Sequence, residues 1–302
     1  MKAEPKSRVT LARTDDRASG VQQTIRALAV NPAKNKDVLI KPNFNTADPA
    51  PGSTHNDTLV ALVDQLWQLG ARSISVGERS YPRTASVLEA KDIVPLLEAR
   101  DVRMIDFDAL PAEDWVKVDA AGSHWRDGFR VARPVLEADC LVSTGCLKTH
   151  QFGGVFTLSL KLHVGVVPTT RHGYGYMAEL HGSPYQQELI AEINAPFAPD
   201  LVVMDGVEVF VDGGPATGKR VRGDVVLAST DRVAIDAVGV AVLKSLGSND
   251  QVMTRPIFTQ KQIARAVELA LGAASPEAIE LVATDPSGED LRDRVAAILS
   301  QG

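Results

Sequence analysis

The chain has 302 residues, 44% hydrophobic and 23% charged, which excludes a disordered or fibrous polymer and leaves enough apolar material for a substantial core. A formal net charge of -6, with Lys and Arg scattered rather than striped, argues against nucleic acid or an anionic membrane as partner and points to a small molecule. No apolar run approaches the roughly 18 residues of a bilayer span, and Met1 to Arg8 is polar without a signal-peptide core, so the chain is read as cytoplasmic.

In chain order, Val9 to Ala12 reads as a strand, and Ser19 to Ala29 as a helix capped by Ser19 or Asp16. Asp37 to Asn43 is a short apolar strand of the buried parallel kind, which delivers Lys41 and Asn43 at its carboxyl end before Pro42 stops it. A loop carrying Thr54 leads to an amphipathic helix from Asp57 to Leu69, closed by Gly70. Ser73 to Glu78 is the next strand, Thr84 to Ala99 a helix and Val102 to Phe107 a third strand. Trp115 to Ala120 and Gly128 to Val131 form a short antiparallel excursion.

The stretch from Asp139 to Pro168 organises the rest. It opens on the apolar run Cys140 to Val142 and then presents Lys148, Thr149 and His150, as a strand end does at a binding crevice. Past Gly153 and Gly154, polar and apolar residues alternate from Thr157 to Val164. A period of two puts Thr157, Ser159, Lys161 and His163 on one face of a strand and the leucines on the other. Thr169 to Tyr185 reads as a loop or lid, and Tyr185 to Ala195 as a helix. Leu201 to Gly206 is a strand ending in Asp205, and Gly213 and Gly214 open a turn-rich segment up to Gly223. Asp224 to Ser229 is a strand, and Thr230 or Asp231 caps a helix from Arg232 to Leu246. A helix from Gln260 to Leu271, a strand from Ile279 to Val282 and a helix from Glu289 to Leu299 finish the chain.

Strands alternating with helices at this spacing predict an α/β fold, a doubly wound, mostly parallel sheet with helices on both faces. It is read as a single α/β domain over 1–302, with halves 1–135 and 136–302 as the alternative division and the central site in the second.

His150, His163, His172 and His181 fall within 32 residues and are expected to face one crevice. Lys41, Lys148 and Lys161 adjoin apolar strand residues, so at least one should be partly desolvated and either pair with a carboxylate (Glu78 or Asp205) or a ligand anion, or shift its pKa and serve as a base. The glycine pairs 153–154 and 213–214 would let backbone N–H groups approach that anion. Asp236 reads as an exposed helical acid, with a ligand role as the alternative. The two cysteines, Cys140 and Cys146, read as buried thiols, a reactive or metal-bound Cys146 being the alternative, and are too few for an iron–sulfur cluster. Dinucleotide, phosphate-loop, nucleophile-elbow and zinc-helix signatures are absent.

Six blocks in order, V-L-I-K-P-N (38–43), G-A-x-x-I-x-V-G-E (70–78), A-D-C-L-V-S-T-G-C-L-K-T-H (138–150), S-L-K-L-H-V-G (159–165), V-V-M-D-G (202–206) and A-S-T-D-R-V-A-I-D-A-V-G (228–239), resemble the bacterial and archaeal family known as domain of unknown function 362. Many of its members carry a ferredoxin-type cysteine segment, from which this sequence departs. The layout of the first blocks is also similar to the amino-terminal half of the lactate racemase family. Those enzymes act on 2-hydroxy acids or sugar acids with Lys and His around a nickel pincer cofactor.

The reading that follows is an enzyme for a small anionic metabolite, a carboxylate or phosphate, acting by Lys/His acid–base chemistry of the isomerase or epimerase kind. Lys148, His150, Lys161 and His163 are the expected catalytic groups. Lys41, Asn43, Thr54, Glu78, Gly153, Gly154, Asp205, Gly213 and Gly214 are expected to bind substrate. A divalent metal through His150, His181 and a carboxylate is compatible with the sequence, and a homo-oligomer is left open. The alternatives are a non-catalytic anion- or metal-complex-binding protein and an accessory factor for an iron–sulfur partner.

Overall fold

The structure is a computed structural model that describes residues 6–301. The first half contributes β1 (Ser7–Arg13), α1 (Arg17–Leu28), β2 (Asp37–Lys41), α2 (Asn56–Gln68), β3 (Ser73–Glu78), α3 (Thr84–Ala90), α4 (Val94–Glu98) and β4 (Val102–Asp106). Asp16 caps α1 by accepting the Ser19 N–H, and His55 caps α2 through Nδ1. The helix expected over Thr84 to Ala99 is instead α3 and α4. Pro95, which cannot sit inside a helix, stands in the first turn of α4 just after Asp92 at a φ of 49°. The excursion is β5 (Trp115–Val118) with β6 (Phe129–Ala132), an antiparallel pair apart from the main sheet.

After α5 (Arg133–Leu136) comes β7 (Cys140–His150), an eleven-residue strand buried throughout, which runs well past the apolar run that announces it. Thereafter come β8 (Val155–Thr157), α6 (Ser159–Leu162), α7 (Tyr176–Gly182), α8 (Gln186–Glu192), β9 (Leu201–Gly213), β10 (Gly218–Arg222), β11 (Val225–Ser229), α9 (Arg232–Ser245), α10 (Asp250–Met253), α11 (Lys261–Glu268), β12 (Ile279–Ala283) and α12 (Glu289–Ser300). The lid segment thus contains a helix, and the turn-rich segment a strand that hairpins back on β9.

The ten-stranded sheet has the order β12-β1-β11-β9-β7-β2-β3-β4, with β8 and β10 pairing as extensions of β7 and β9. Pairing is parallel from β9 through β7, β2 and β3 to β4 and again between β1 and β12, while β11 is antiparallel to both neighbours. Successive side chains alternate between two cores. Val38, Ile40, Leu201 and Val203 pack with Leu59, Leu62 and Leu66 of α2. On the other face Val202 and Met204 meet α9 and α12, and Leu39 and Leu141 meet Leu189 and Ile190 of α8. Helices therefore cover both faces of a mostly parallel sheet, as the strand and helix spacing predicts. Among the described residues, no helix is long and apolar enough to cross a membrane.

One expectation fails outright. Past Thr157, which ends β8, the segment to Val164 is not a strand, because Asp236, buried in α9 and not exposed, accepts the N–H groups of Ser159 (2.7 Å) and Leu160 (3.1 Å) at the start of α6. Leu158, Leu160 and Leu162 still enter the core, but Lys161 and His163 no longer share a face. Burial pushes the Asp236 carboxyl up to about 8, against the pull of those two N–H donors.

Asp236→Ala is expected to lower the unfolding free energy by about 1–3 kcal/mol, since two buried N–H groups lose their acceptor. Asp236→Asn, which keeps one acceptor oxygen, should lose less. Urea unfolding of the two variants reads the difference, and wild-type midpoints for both would remove Asp236 as the cause of the helix.

Candidate functional site

The carboxyl ends of β2, β3 and β7 lie side by side in the sheet, and a cavity of about 820 Å³ opens beyond them. Asn43, Glu78, Lys148, His150, Gly153 and Lys161 stand in its wall. Lys148 and His150 are two apart on β7, and Lys148 is the register partner of Thr157 on β8, so all three present to the same side. One turn of α6 then brings Lys161 to them, its stem lying over Gly154 where a Cβ would collide with it.

Charge is distributed unevenly in this wall. Lys148 is clamped by neutral oxygens only, donating to Asn43 Oδ1 (2.6 Å), Gly52 O (2.5 Å) and Pro51 O (3.0 Å). Lys161 has neither a hydrogen bond nor an ion pair from its ammonium among the described residues. Burial brings each of these two lysines down to about 8 from the usual 10.5, and for Lys161 the neighbouring Lys148 charge adds to the effect. Arg79, which follows β3, is 4% exposed and donates to Thr169 Oγ1 (3.2 Å), Val164 O (3.1 Å) and Met177 Sδ (3.5 Å), with Nε unpartnered. Burial lowers its pKa, Glu78 and Asp108 opposing. No carboxylate stands within ion-pair distance of Arg79, Lys148 or Lys161 among the described residues.

The remaining carboxylate of the wall is already committed. Glu78 Oε1 meets Lys41 Nζ at 2.6 Å, both groups fully enclosed, and the carboxylate also accepts the backbone N–H groups of Phe44 (2.7 Å) and Arg79 (2.9 Å). Burial pushes Lys41 down and Glu78 up, each held back by the other's charge. Gly165 packs flat on this pair, leaving no room for a Cβ.

His150 is 7% exposed, its Nδ1 has no partner, and its ring meets Phe152 edge-on at 5.8 Å. Burial first, then Lys161, Lys148 and His181, bring its pKa down to about 2, so it is neutral at pH 7. Thr157 Oγ1 is likewise buried without a partner. His181, at the end of α7, lines the cavity and contacts Gln186 through Nδ1 (3.2 Å).

Other expected site residues stand elsewhere. His163 is enclosed in the core, its Nδ1 against Asn194 Oδ1 (2.7 Å) and its Nε2 against Ser143 Oγ (2.8 Å), and burial holds it far below its usual pKa. Both ring nitrogens are therefore occupied. His172 is exposed on the loop before α7. Asp205 pairs not with a lysine but with Arg17 (2.8 Å) and Thr58 Oγ1 (2.8 Å). Thr54 takes the Asn43 N–H (2.8 Å) and braces the loop from behind. Gly214 lies against the Thr149 carbonyl of β7, and Gly213 against Thr217 and Gly218 in the turn between β9 and β10. Cys146 donates to Ser53 O (3.4 Å), and burial pushes both thiols up to about 12, a donor pair that does not fit an iron–sulfur centre. No group of three or more His, Cys, Asp or Glu side chains is placed to hold a metal among the described residues.

Sequence reasoning missed Arg79, although it adjoins Glu78 at a strand's carboxyl end and the rule that singled out Glu78 covers it. Tyr81 and Phe152, on loops, and Met177, on the seven-residue α7, were missed as well, because loops and so short a helix carry no clear periodic signal.

Residues 38–241 match the family described as "Domain of unknown function (DUF362)". The chain is 24% identical over 210 residues to a thylakoid-associated protein of Synechocystis sp., covering 68% of this chain and 63% of that protein, so it spans less than two-thirds of that relative's length. Among solved structures it is similar to the lactate racemase apoprotein from Thermoanaerobacterium thermosaccharolyticum, with 16% identity and a TM-score of 0.43, covering 74% of this chain and 54% of that one. It is also similar to the dehydroquinate dehydratase and shikimate dehydrogenase from S. pombe, with 17% identity and a TM-score of 0.23, covering 43% of this chain and 18% of that one.

Because the folded pKa of Lys161 lies near 8 and its usual value is 10.5, the unfolded chain binds more protons between those limits, and stability should rise with pH across that window. Lys161→Met, which removes an enclosed cation, is expected to raise the unfolding free energy at pH 7 by on the order of 1–3 kcal/mol. That gain should shrink as the pH approaches 10. Chemical denaturation at several pH values checks both the sign and the slope, and a destabilised variant at pH 7 would show that the ammonium is satisfied after all.

Proposed function

The chain belongs to the DUF362 family, and we propose that this member is an enzyme acting on a small anionic metabolite, a carboxylate or phosphate, by Lys/His acid–base chemistry of the isomerase or epimerase kind. One observation carries the reading: Arg79, Lys148 and Lys161 converge on one cavity, and among the described residues no carboxylate stands within ion-pair distance of any of them. Leaving enclosed cations without a counter-ion destabilises a fold, and a ligand anion supplies what the protein omits.

In this reading Lys161 and Arg79 hold the anion, Lys148 is fixed on its carbonyl clamp beside them, and the Thr157 hydroxyl donates to an anion oxygen. His150 is the base that takes a proton from the carbon next to the anionic group. Its basicity is low while the cavity is empty, since burial and two ammonium groups oppose its protonation. A bound anion offsets those two charges and raises it. Lys161, with a pKa of about 8, can return a proton near neutrality. His163 has no part in this scheme, because both its nitrogens are bonded inside the core.

The protein incubated with 2-hydroxy and sugar acids in D2O should exchange the hydrogen beside the carboxylate, followed by loss of its proton NMR signal. His150→Gln is expected to slow that exchange by roughly 100-fold or more with anion affinity within a few-fold of wild type. Exchange at the wild-type rate in that variant would rule out His150 as the base. Anion affinity without any exchange would leave a binding protein. Sulfate, whose own charge is constant over the range, should bind with steady affinity from pH 6 to 7.5 and weaken as the pH rises through about 8, where Lys148 and Lys161 lose their protons. Calorimetric titration reads this, and a flat profile to pH 10 would take the two lysines out of the anion site.

A further inference from the structure

We infer that the ligand is an amphipathic anion, a carboxylate or phosphate bearing an aromatic or extended apolar body, and not a bare two- or three-carbon acid. This rests on the anion reading above and adds the part of the ligand that lies away from the charge. At about 820 Å³ the cavity is on the scale of sites that enclose drug-sized molecules, roughly 300–1,000 Å³. A phosphate or short acid would occupy one end and leave the rest wet.

The rest is apolar. Leu162, Val164, Met177 and Pro215 line it, and Tyr81 and Phe152 stand at its rim. Those two rings are 65% and 61% exposed, the most exposed large hydrophobic side chains among the described residues, so the chain holds in water aromatic surface that a ligand body would cover. Apolar wall and cationic end are also joined directly. Met177 Sδ touches the Arg79 guanidinium at 3.5 Å, and the Phe152 ring abuts the His150 ring, so an apolar body would begin where the anion ends. Planar rings suit a planar or unbranched body, which can lie against either of them.

Titration calorimetry on the full chain with inorganic phosphate, 2-naphthyl phosphate and uncharged 2-naphthol separates the possibilities. Naphthyl phosphate should bind at least about tenfold more tightly than either of the others, since only it uses both ends of the cavity. Phe152→Ser with Tyr81→Ser, both at exposed positions, should shrink the ratio between naphthyl and inorganic phosphate several-fold, and Lys161→Met should weaken both phosphates together. Equal affinity for the two phosphates would overturn the amphipathic ligand and leave the anion site standing. Naphthol binding as tightly as naphthyl phosphate, or no binding by either phosphate, would overturn the anion site and this inference with it.

Discussion

Two ammonium groups and a guanidinium withdrawn from water without a carboxylate set the character of this molecule. The withdrawal costs free energy that burial of apolar side chains elsewhere has to offset, and for Lys148 the cost is reduced because two backbone carbonyls and an amide oxygen accept hydrogen bonds from its ammonium. The same bonds tie the 43–52 loop to the end of β7. The clamp therefore does two things at once: it closes one side of the cavity and fixes a positive charge there. The Lys41–Glu78 pair, enclosed behind Gly165, shows the contrast, since there the protein has supplied its own counter-ion.

The second element on which the site depends is the turn of helix at α6. Asp236 reaches from α9 to the N–H groups of Ser159 and Leu160, and that one carboxylate converts an alternating segment from strand to helix. A strand would have put Lys161 and His163 side by side. The helical turn separates them, sending Lys161 over Gly154 into the cavity and His163 toward Ser143 and Asn194 in the core. Two residues of similar appearance in sequence thus end in unrelated environments because of a third residue more than seventy positions away.

The cavity combines this cationic end with an apolar wall built largely from loops and from α7. The sheet supplies Lys148 and His150 at the end of β7, where backbone hydrogen bonding leaves little freedom. The connecting segments supply Tyr81, Phe152 and Met177. Chemistry on the rigid elements and shape on the connections is the division expected when side chains that handle protons need tight positioning and those that cover a ligand body do not.

Much of the fold was legible in the chain itself. Apolar runs at Val38 to Ile40 and Leu201 to Met204, each followed by a helix or turn signal, specify parallel strands because burial on both faces demands continuous hydrophobicity. The strand ends that carry Asn43, Glu78, Lys148 and His150 could be named for the same reason. Only the tertiary structure decided that β7 continues through buried polar residues, that Asp205 serves Arg17, that α6 is helical, and that Arg79 joins the cations while His163 and His172 leave them. Periodicity reports which side chains seek the core. It is silent on a polar group whose partner is supplied from a distant part of the chain, and here such partners determine where each charge lies.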